Sequence, residues 1–140
     1  MEPRPEPVLL ALQRATHATL HVLATTLASL ELTTSEINAL AALADGPAPT
    51  VSGLAAATGT RATTLTSVLD RLERRGHVAR VPRPGDRRAV LIQLTPAGHR
   101  AATSVRQAMA GLEQRALGGL PAGTIDAART VLRALTEVSP

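Results

Sequence analysis

Leu20, Leu23, Leu27 and Leu30 follow one another at intervals of three and four, the spacing that sets side chains on one face of a helix. They predict a first helix over about residues 7–31. Thr33-Thr34-Ser35-Glu36 then has the S/T-x-x-E spacing of a capping box. It opens a second helix through Ile37, Leu40, Ala41 and Leu43, which stops at Asp45-Gly46-Pro47. Thr50 can cap a short third helix around Leu54, closed by Thr58-Gly59. A fourth, over about residues 61–75, carries Leu65, Val68, Leu69 and Leu72 at i, i+3, i+4 and i+7, and Gly76 ends it.

Past Gly76 the period shortens to that of a strand. His77-Val78-Ala79-Arg80-Val81 reads as one short strand and the alternating Val90, Ile92 and Leu94 as a second, with the charged, breaker-rich run 82–88 as the turn between them. Thr95-Pro96 supplies an N-cap followed by proline at the first helical position, and the fifth helix runs through Ala101, Val105 and Met109 to about Leu117. Gly118-Gly119 breaks it. A last helix over about residues 122–137 carries Ile125, Val131, Leu132 and Leu135.

This order predicts a mainly α fold with a small two-stranded β-wing: a winged helix-turn-helix flanked by terminal helices. A chain of 140 residues suits one domain. Within it, residues 1–33 are expected to form an N-terminal dimerisation helix, 34–98 the winged helix-turn-helix and 99–140 the C-terminal dimerisation helices. The outer helices carry apolar stripes that one protomer cannot easily cover, so a two-fold homodimer is expected.

Charge sharpens that reading. Net charge is only +4, but residues 61–100 hold nine arginines against Asp70, Glu73 and Asp86, a balance of +6. The remainder holds six arginines against eight acids, a balance of −2. Such a block marks either an anionic partner or a solvated face. Every basic residue besides the four histidines is arginine, which suits forked contacts to phosphate and guanine. The chain has no Phe, Tyr or Trp, which excludes stacking platforms for single strands and aromatic cages for cations. With no cysteine, thiol catalysis and thiol redox sensing are excluded too. G-x-S-x-G, H-E-x-x-H and a phosphate-cradling glycine loop are all absent, so no enzyme is expected. No apolar run approaches a membrane span and the start, MEPRPEP, is no signal peptide, so a cytoplasmic protein is expected.

If the apolar stripe of the fourth helix is buried, Thr63, Ser67, Asp70 and Arg74 point outward, with Thr64 and Arg71 at one edge. Short hydroxyl side chains suit close approach to base edges, and Arg71 and Arg74 suit phosphate. Thr50 and Ser52 can contact phosphate or simply cap the third helix. On the first helix Arg14, His17 and His21 share a face opposite the leucines. That face has three readings: solvent or interface side chains, a contact for an anionic ligand, or two metal ligands that lack a third.

The run Asp70-Arg71-Leu72-Glu73-Arg74-Arg75-Gly76-His77-Val78-Ala79-Arg80, then Asp86-Arg87-Arg88, then Leu94-Thr95-Pro96-Ala97-Gly98, resembles the signature of the MarR family of bacterial dimeric transcription regulators. Helix order extends the resemblance over nearly the whole chain. It implies a homodimeric repressor of transcription that binds double-stranded DNA at a pseudo-palindromic operator. It also implies release by a small, often anionic effector, with no cofactor and no membrane. Arg88 matches the family's wing-tip arginine that enters the minor groove, and Asp86 the acid that orients the wing through a salt bridge; Arg80, Arg83 and Arg87 complete the expected wing contacts. The chain departs from the pattern at Ser67, where many members carry arginine, and at Arg61, which takes the place of the usual capping residue unless Thr60 serves. Arg61 therefore joins Thr63, Thr64 and Ser67 as an expected DNA contact. The competing expectation is a winged-helix module that binds another protein and never DNA.

Overall fold

Nine elements follow one another in a computed structural model that describes residues 1–140. They are α1 (Val8–Thr26), a 3₁₀ turn (Ala28–Leu30), α2 (Thr34–Leu43), α3 (Val51–Thr58), α4 (Ala62–Arg74), β1 (Val78–Arg83), β2 (Asp86–Leu94), α5 (Pro96–Leu117) and α6 (Ala122–Thr136). The helix-turn-helix of α3 and α4, the hairpin and the flanking helices lie in the expected order.

Two boundaries differ from expectation. The first helix stops at Thr26 and not near residue 31, and the chain then tightens into the 3₁₀ turn and turns left-handed at Glu31, φ 52°. The leucine stripe runs across the break, since Leu23 and Leu27 are buried and Leu30 packs on the core. Periodicity therefore could not mark it. What holds the turn is remote in sequence: the Arg75 guanidinium donates to the carbonyls of Leu30 (2.7 Å) and Glu31 (2.8 Å).

The hairpin is also longer than the run of breakers suggested. Only Pro84-Gly85 turns, with Gly85 at φ 82°, and Asp86, Arg87 and Arg88 belong to β2. Val78 pairs with Leu94 and Pro82 with Val90, but Arg83 already pairs with Asp86, so the register slips between Pro82 and Arg83. Proline lacks the N–H that a ladder needs, and the extra residues of β2 bulge there. A third rung joins the hairpin to the helix-turn-helix: Thr50 bridges Leu91, and the Ile92 N–H donates to the Pro49 carbonyl at 2.8 Å.

The core lies between α2, α3, α4, α5 and the base of the hairpin, where Ile37, Leu40, Leu54, Leu65, Leu69, Leu72, Ile92 and Val105 are fully buried. Caps fix the ends of these helices. Thr33 and Glu36 form the capping box of α2, while Thr50 and Thr95 cap α3 and α5 by accepting from the N–H groups of Gly53 and Gly98. Thr95 also donates to the Gly76 carbonyl, and its N–H donates to the His77 carbonyl at 3.0 Å, so the start of α5 grips the joint between α4 and β1. Gly98 is required there, because a Cβ would run into that same His77 carbonyl. The terminal helices contrast with this centre: α1 buries only Leu23 and α6 buries no residue at all.

Candidate nucleic-acid interface

Leu65, Val68, Leu69 and Leu72 anchor α4 by one face, so its geometry turns Thr63, Ser67, Asp70 and Arg74 to the opposite side. All four are exposed, as is Thr64, and Arg71 is half-buried at the edge. The hydroxyls of Thr63, Thr64 and Ser67 have no partner within the chain, whereas Thr66 turns its hydroxyl back to the Ala62 carbonyl at 2.9 Å.

The N-terminus of α4 is uncapped. Arg61 occupies the cap position with no side-chain bond to the helix, and Thr60 does not serve instead, because its hydroxyl lies 2.6 Å from that of Thr58. Free N–H groups, the positive end of the helix dipole and the Arg61 guanidinium therefore coincide. Nearby, Thr50 caps α3 with its oxygen as acceptor and keeps its O–H free to donate, while Ser52 is exposed and without a partner.

Eight of the nine arginines of the central block, all but Arg100 on α5, fall into two groups. Arg80 reaches from β1 to α4, where Nη2 donates to Asp70 Oδ1 at 2.8 Å and Nη1 to Glu73 Oε1 at 3.5 Å. It ties the wing to α4, and it neutralises the acid on that helix's outer face. Arg75 holds the turn after α1 and also lies 3.5 Å from Glu36, a carboxylate only 2% exposed. Arg71 Nε sits 3.9 Å from the same carboxylate, buried and without a hydrogen bond. By contrast Arg61, Arg74, Arg83, Arg87 and Arg88 are exposed and have no acidic partner. Two of these stand at the ends of α4 and three on the wing. Asp86 forms no ion pair; it accepts the Arg88 N–H at 3.0 Å and so fixes the backbone that presents Arg88.

His77, at the joint of α4 and β1, has a buried Nδ1 without a partner. Burial, seconded by the Arg75 charge and opposed by Glu36, holds its pKa below the ordinary 6.5.

The face of α1 is less organised than its sequence suggests. Arg14 is bound to Glu6 at 2.7 Å, and His17 and His21 are exposed. No group of three His, Asp or Glu side chains is placed to hold a metal. Two clefts lie elsewhere. One, of about 260 Å³, separates α1 from α5 between Leu23, Met109, Leu112 and Leu117. The other, of about 400 Å³, lies where α2, α3 and α5 meet, beside Asn38, Thr58, Met109 and Arg106. Arg106 donates there to the Ala41 carbonyl and pairs with Asp45, both at 2.8 Å. The roles of Glu36, Arg75 and Arg106 escaped the sequence reading, because their partners lie 39 to 65 residues away. The only local sign was Glu36 in its capping box.

Residues 30–89 match the MarR family. The whole chain superposes on BpsR of Bordetella bronchiseptica with a TM-score of 0.79 and 28% identity, over 99% of this chain and 100% of that one. Residues 30–89, from the turn before α2 into β2, are MarR-type in sequence, and the whole chain is MarR-type in fold. Two further structures share the fold. CouR of Rhodococcus jostii, solved with p-coumaroyl-CoA, matches at TM-score 0.86 and 23% identity over 96% of this chain and 95% of its own. NadR, solved with 4-hydroxyphenylacetate, matches at TM-score 0.85 and 19% identity over 99% of both chains. No curated protein matches by sequence. MarR-family proteins are transcription regulators, and the six helices and two-stranded wing found here are their architecture. No helix of the chain is long and apolar enough to cross a membrane.

Proposed function

We propose that the protein is a homodimeric repressor of transcription that binds a pseudo-palindromic operator, with α4 in the major groove and the wing tip in the minor groove. One observation carries this reading: Arg61, Arg74, Arg83, Arg87 and Arg88 stand unpaired around α4 and the wing, while Arg75 and Arg80 are consumed by structure. A narrow minor groove has an enhanced negative potential that draws in an arginine, and Arg88 is the wing arginine whose backbone Asp86 fixes. Thr63, Thr64 and Ser67 face base edges; Arg61, Arg71, Arg74, Thr50 and Ser52 face phosphates; Arg80 and Asp86 position the wing. Residues 34–98 make the DNA-binding unit, and 1–33 with 99–140 make the dimer. α6 has no buried residue in the single chain, and a second copy covers its apolar face and sets two recognition helices about one DNA turn apart.

Release by a small aromatic acid fits the same frame. DNA binding by BpsR is regulated by 6-hydroxynicotinic acid, and CouR and NadR were solved with aromatic acyl and acid ligands. In this chain the cleft beside Arg106 offers a guanidinium whose present partner, Asp45, is well exposed and can be displaced by a carboxylate. The Arg14, His17 and His21 face lines neither cleft described above.

Fluorescence anisotropy on the DNA upstream of the gene, across a salt series and against scrambled duplex, tests the reading. Selective binding with a steep salt slope is expected. Arg88→Ala should weaken it about tenfold and leave the folded dimer unchanged, since a hydrogen bond to a charged group is worth about 1.5–3 kcal/mol. Full affinity in that variant would remove the wing from the interface, and equal binding to both duplexes would favour a protein partner.

A further inference from the structure

We propose that α4 reads its half-site through the methyl groups of thymine and not through guanine, with Thr63 and Thr64 as the reading residues and Ser67 as the small residue that admits the helix to close range. This rests on α4 entering the major groove. There, guanine is read by the fork of arginine or by lysine, adenine by asparagine or glutamine, cytosine by a free carboxylate and thymine by apolar contact with its methyl, while serine and threonine hydroxyls bond to bases without strong preference.

From Ala62 to Asp70, the part of α4 that leads into a groove, there is no Arg, Lys, Asn or Gln. The one long polar side chain is Asp70, and its carboxylate is held by Arg80 at 2.8 Å, so it is not free for cytosine. Arg71 leans toward the buried Glu36 and has its Nε out of solvent. Arg74 lies eleven residues beyond Thr63, about 16 Å along the axis, where the backbone of the duplex lies and not the base edges. Arg61 sits beside the uncapped N–H groups of α4, a combination that draws phosphate.

Three threonines remain on this stretch. Thr63 and Thr64 are exposed, and each offers a methyl with an unengaged hydroxyl beside it. Thr66 has turned its hydroxyl to the Ala62 carbonyl and has only its methyl to offer. With no long side chain to hold the helix off, the backbone can approach until these methyls touch the thymine C5 methyls.

Selection from a pool of randomised duplexes should return thymines at the centre of each half-site. Replacing those thymines by deoxyuridine removes the methyl and keeps the base pair, and should weaken binding about fourfold for each methyl lost. Thr63→Ser and Thr64→Ser, which keep the hydroxyl, should bind the thymine duplex more weakly. On the deoxyuridine duplex they should match the unaltered protein. Guanines at the selected positions, or selective binding indifferent to deoxyuridine, would overturn the inference while leaving the DNA-binding reading intact. Binding without selectivity for any duplex would overturn both.

Discussion

The winged-helix centre and the terminal helices are built from the same narrow set of apolar residues, yet they end in opposite conditions. In the centre, Leu40, Leu54, Leu65, Leu69 and Leu72 are at most 1% exposed. At the C-terminal end, Leu120, Val131 and Leu132 remain 45–47% exposed, and Val8, Leu9 and Leu10 at the other end are more exposed still. The charges divide the other way. Residues 61–100 carry a balance of +6 and the rest of the chain −2. A helix of 15 residues is marginal in water without tertiary packing, and in the proposed dimer the second copy supplies that packing to α6. The difference separates two tasks: the centre finishes its own core and offers charge, and the ends offer apolar surface.

The strongest way to break that comparison is to make the ends polar. Val131→Asp with Leu132→Asp should convert the dimer to monomer by light scattering, with α6 losing helicity. Operator affinity should fall at least a hundredfold, because one half-site alone is then engaged. If the doubly substituted chain stays dimeric, the apolar face of α6 is not the interface.

In the centre the largest effect should come from Arg75. It makes two hydrogen bonds to the carbonyls of the turn after α1 and faces a carboxylate with 3% side-chain exposure. Arg75→Met removes these and leaves Glu36 with the Thr33 N–H of its capping box and the distant Arg71. Removing one partner of a fully buried pair costs about 3–5 kcal/mol, and the 35% exposure of Arg75 reduces this to about 2 kcal/mol. Urea unfolding followed by circular dichroism reads it directly. A loss below about 0.5 kcal/mol would make Arg75 a surface residue in energetic terms.

The sequence was most legible where short-range chemistry decides the outcome. Thr33 and Glu36, Thr50, and Thr95 with Pro96 mark helix starts because the cap and its N–H partner lie three residues apart, and each is found as expected. The apolar face of α4 follows from its spacing alone. What could not be read was whatever is closed by distant residues. The end of α1 is set by Arg75, 45 residues from Leu30. The bond between Arg80 and Asp70 requires the strand to fold back along α4, so Arg80 looked like one more wing cation. The hairpin ran past its breakers because its register follows pairing across strands, and the bulge at Pro82 absorbed the excess.

A smaller effect should separate fold from function at the tip of α4. Arg61 places a cation on a helix N-terminus that has no side-chain cap. Arg61→Asp supplies both an acceptor and a charge of the favourable sign, and should raise stability by about 1 kcal/mol. The same change removes the phosphate contact proposed for Arg61 and should weaken operator binding by about fivefold, with a shallower salt slope. Stability and affinity moving in the same direction would contradict the division of tasks in the centre.

The smallest effect expected is a pH dependence confined to the centre. His77 has a folded pKa below its ordinary 6.5, because its ring is partly buried and Arg75 is near. Between the two values the unfolded chain binds a proton that the folded chain does not, so stability rises with pH across that window. Acidification through 6.5 therefore weakens the fold until the folded imidazole is itself protonated, and above 6.5 His77 contributes no slope. His77→Gln removes the titrating group while keeping a polar side chain at the joint of α4 and β1. Urea midpoints between pH 7.5 and pH 5 should fall less steeply in this variant than in the unaltered protein, whatever its stability at pH 7.5. Identical slopes would place the acid response outside the joint that fixes the wing to the recognition helix.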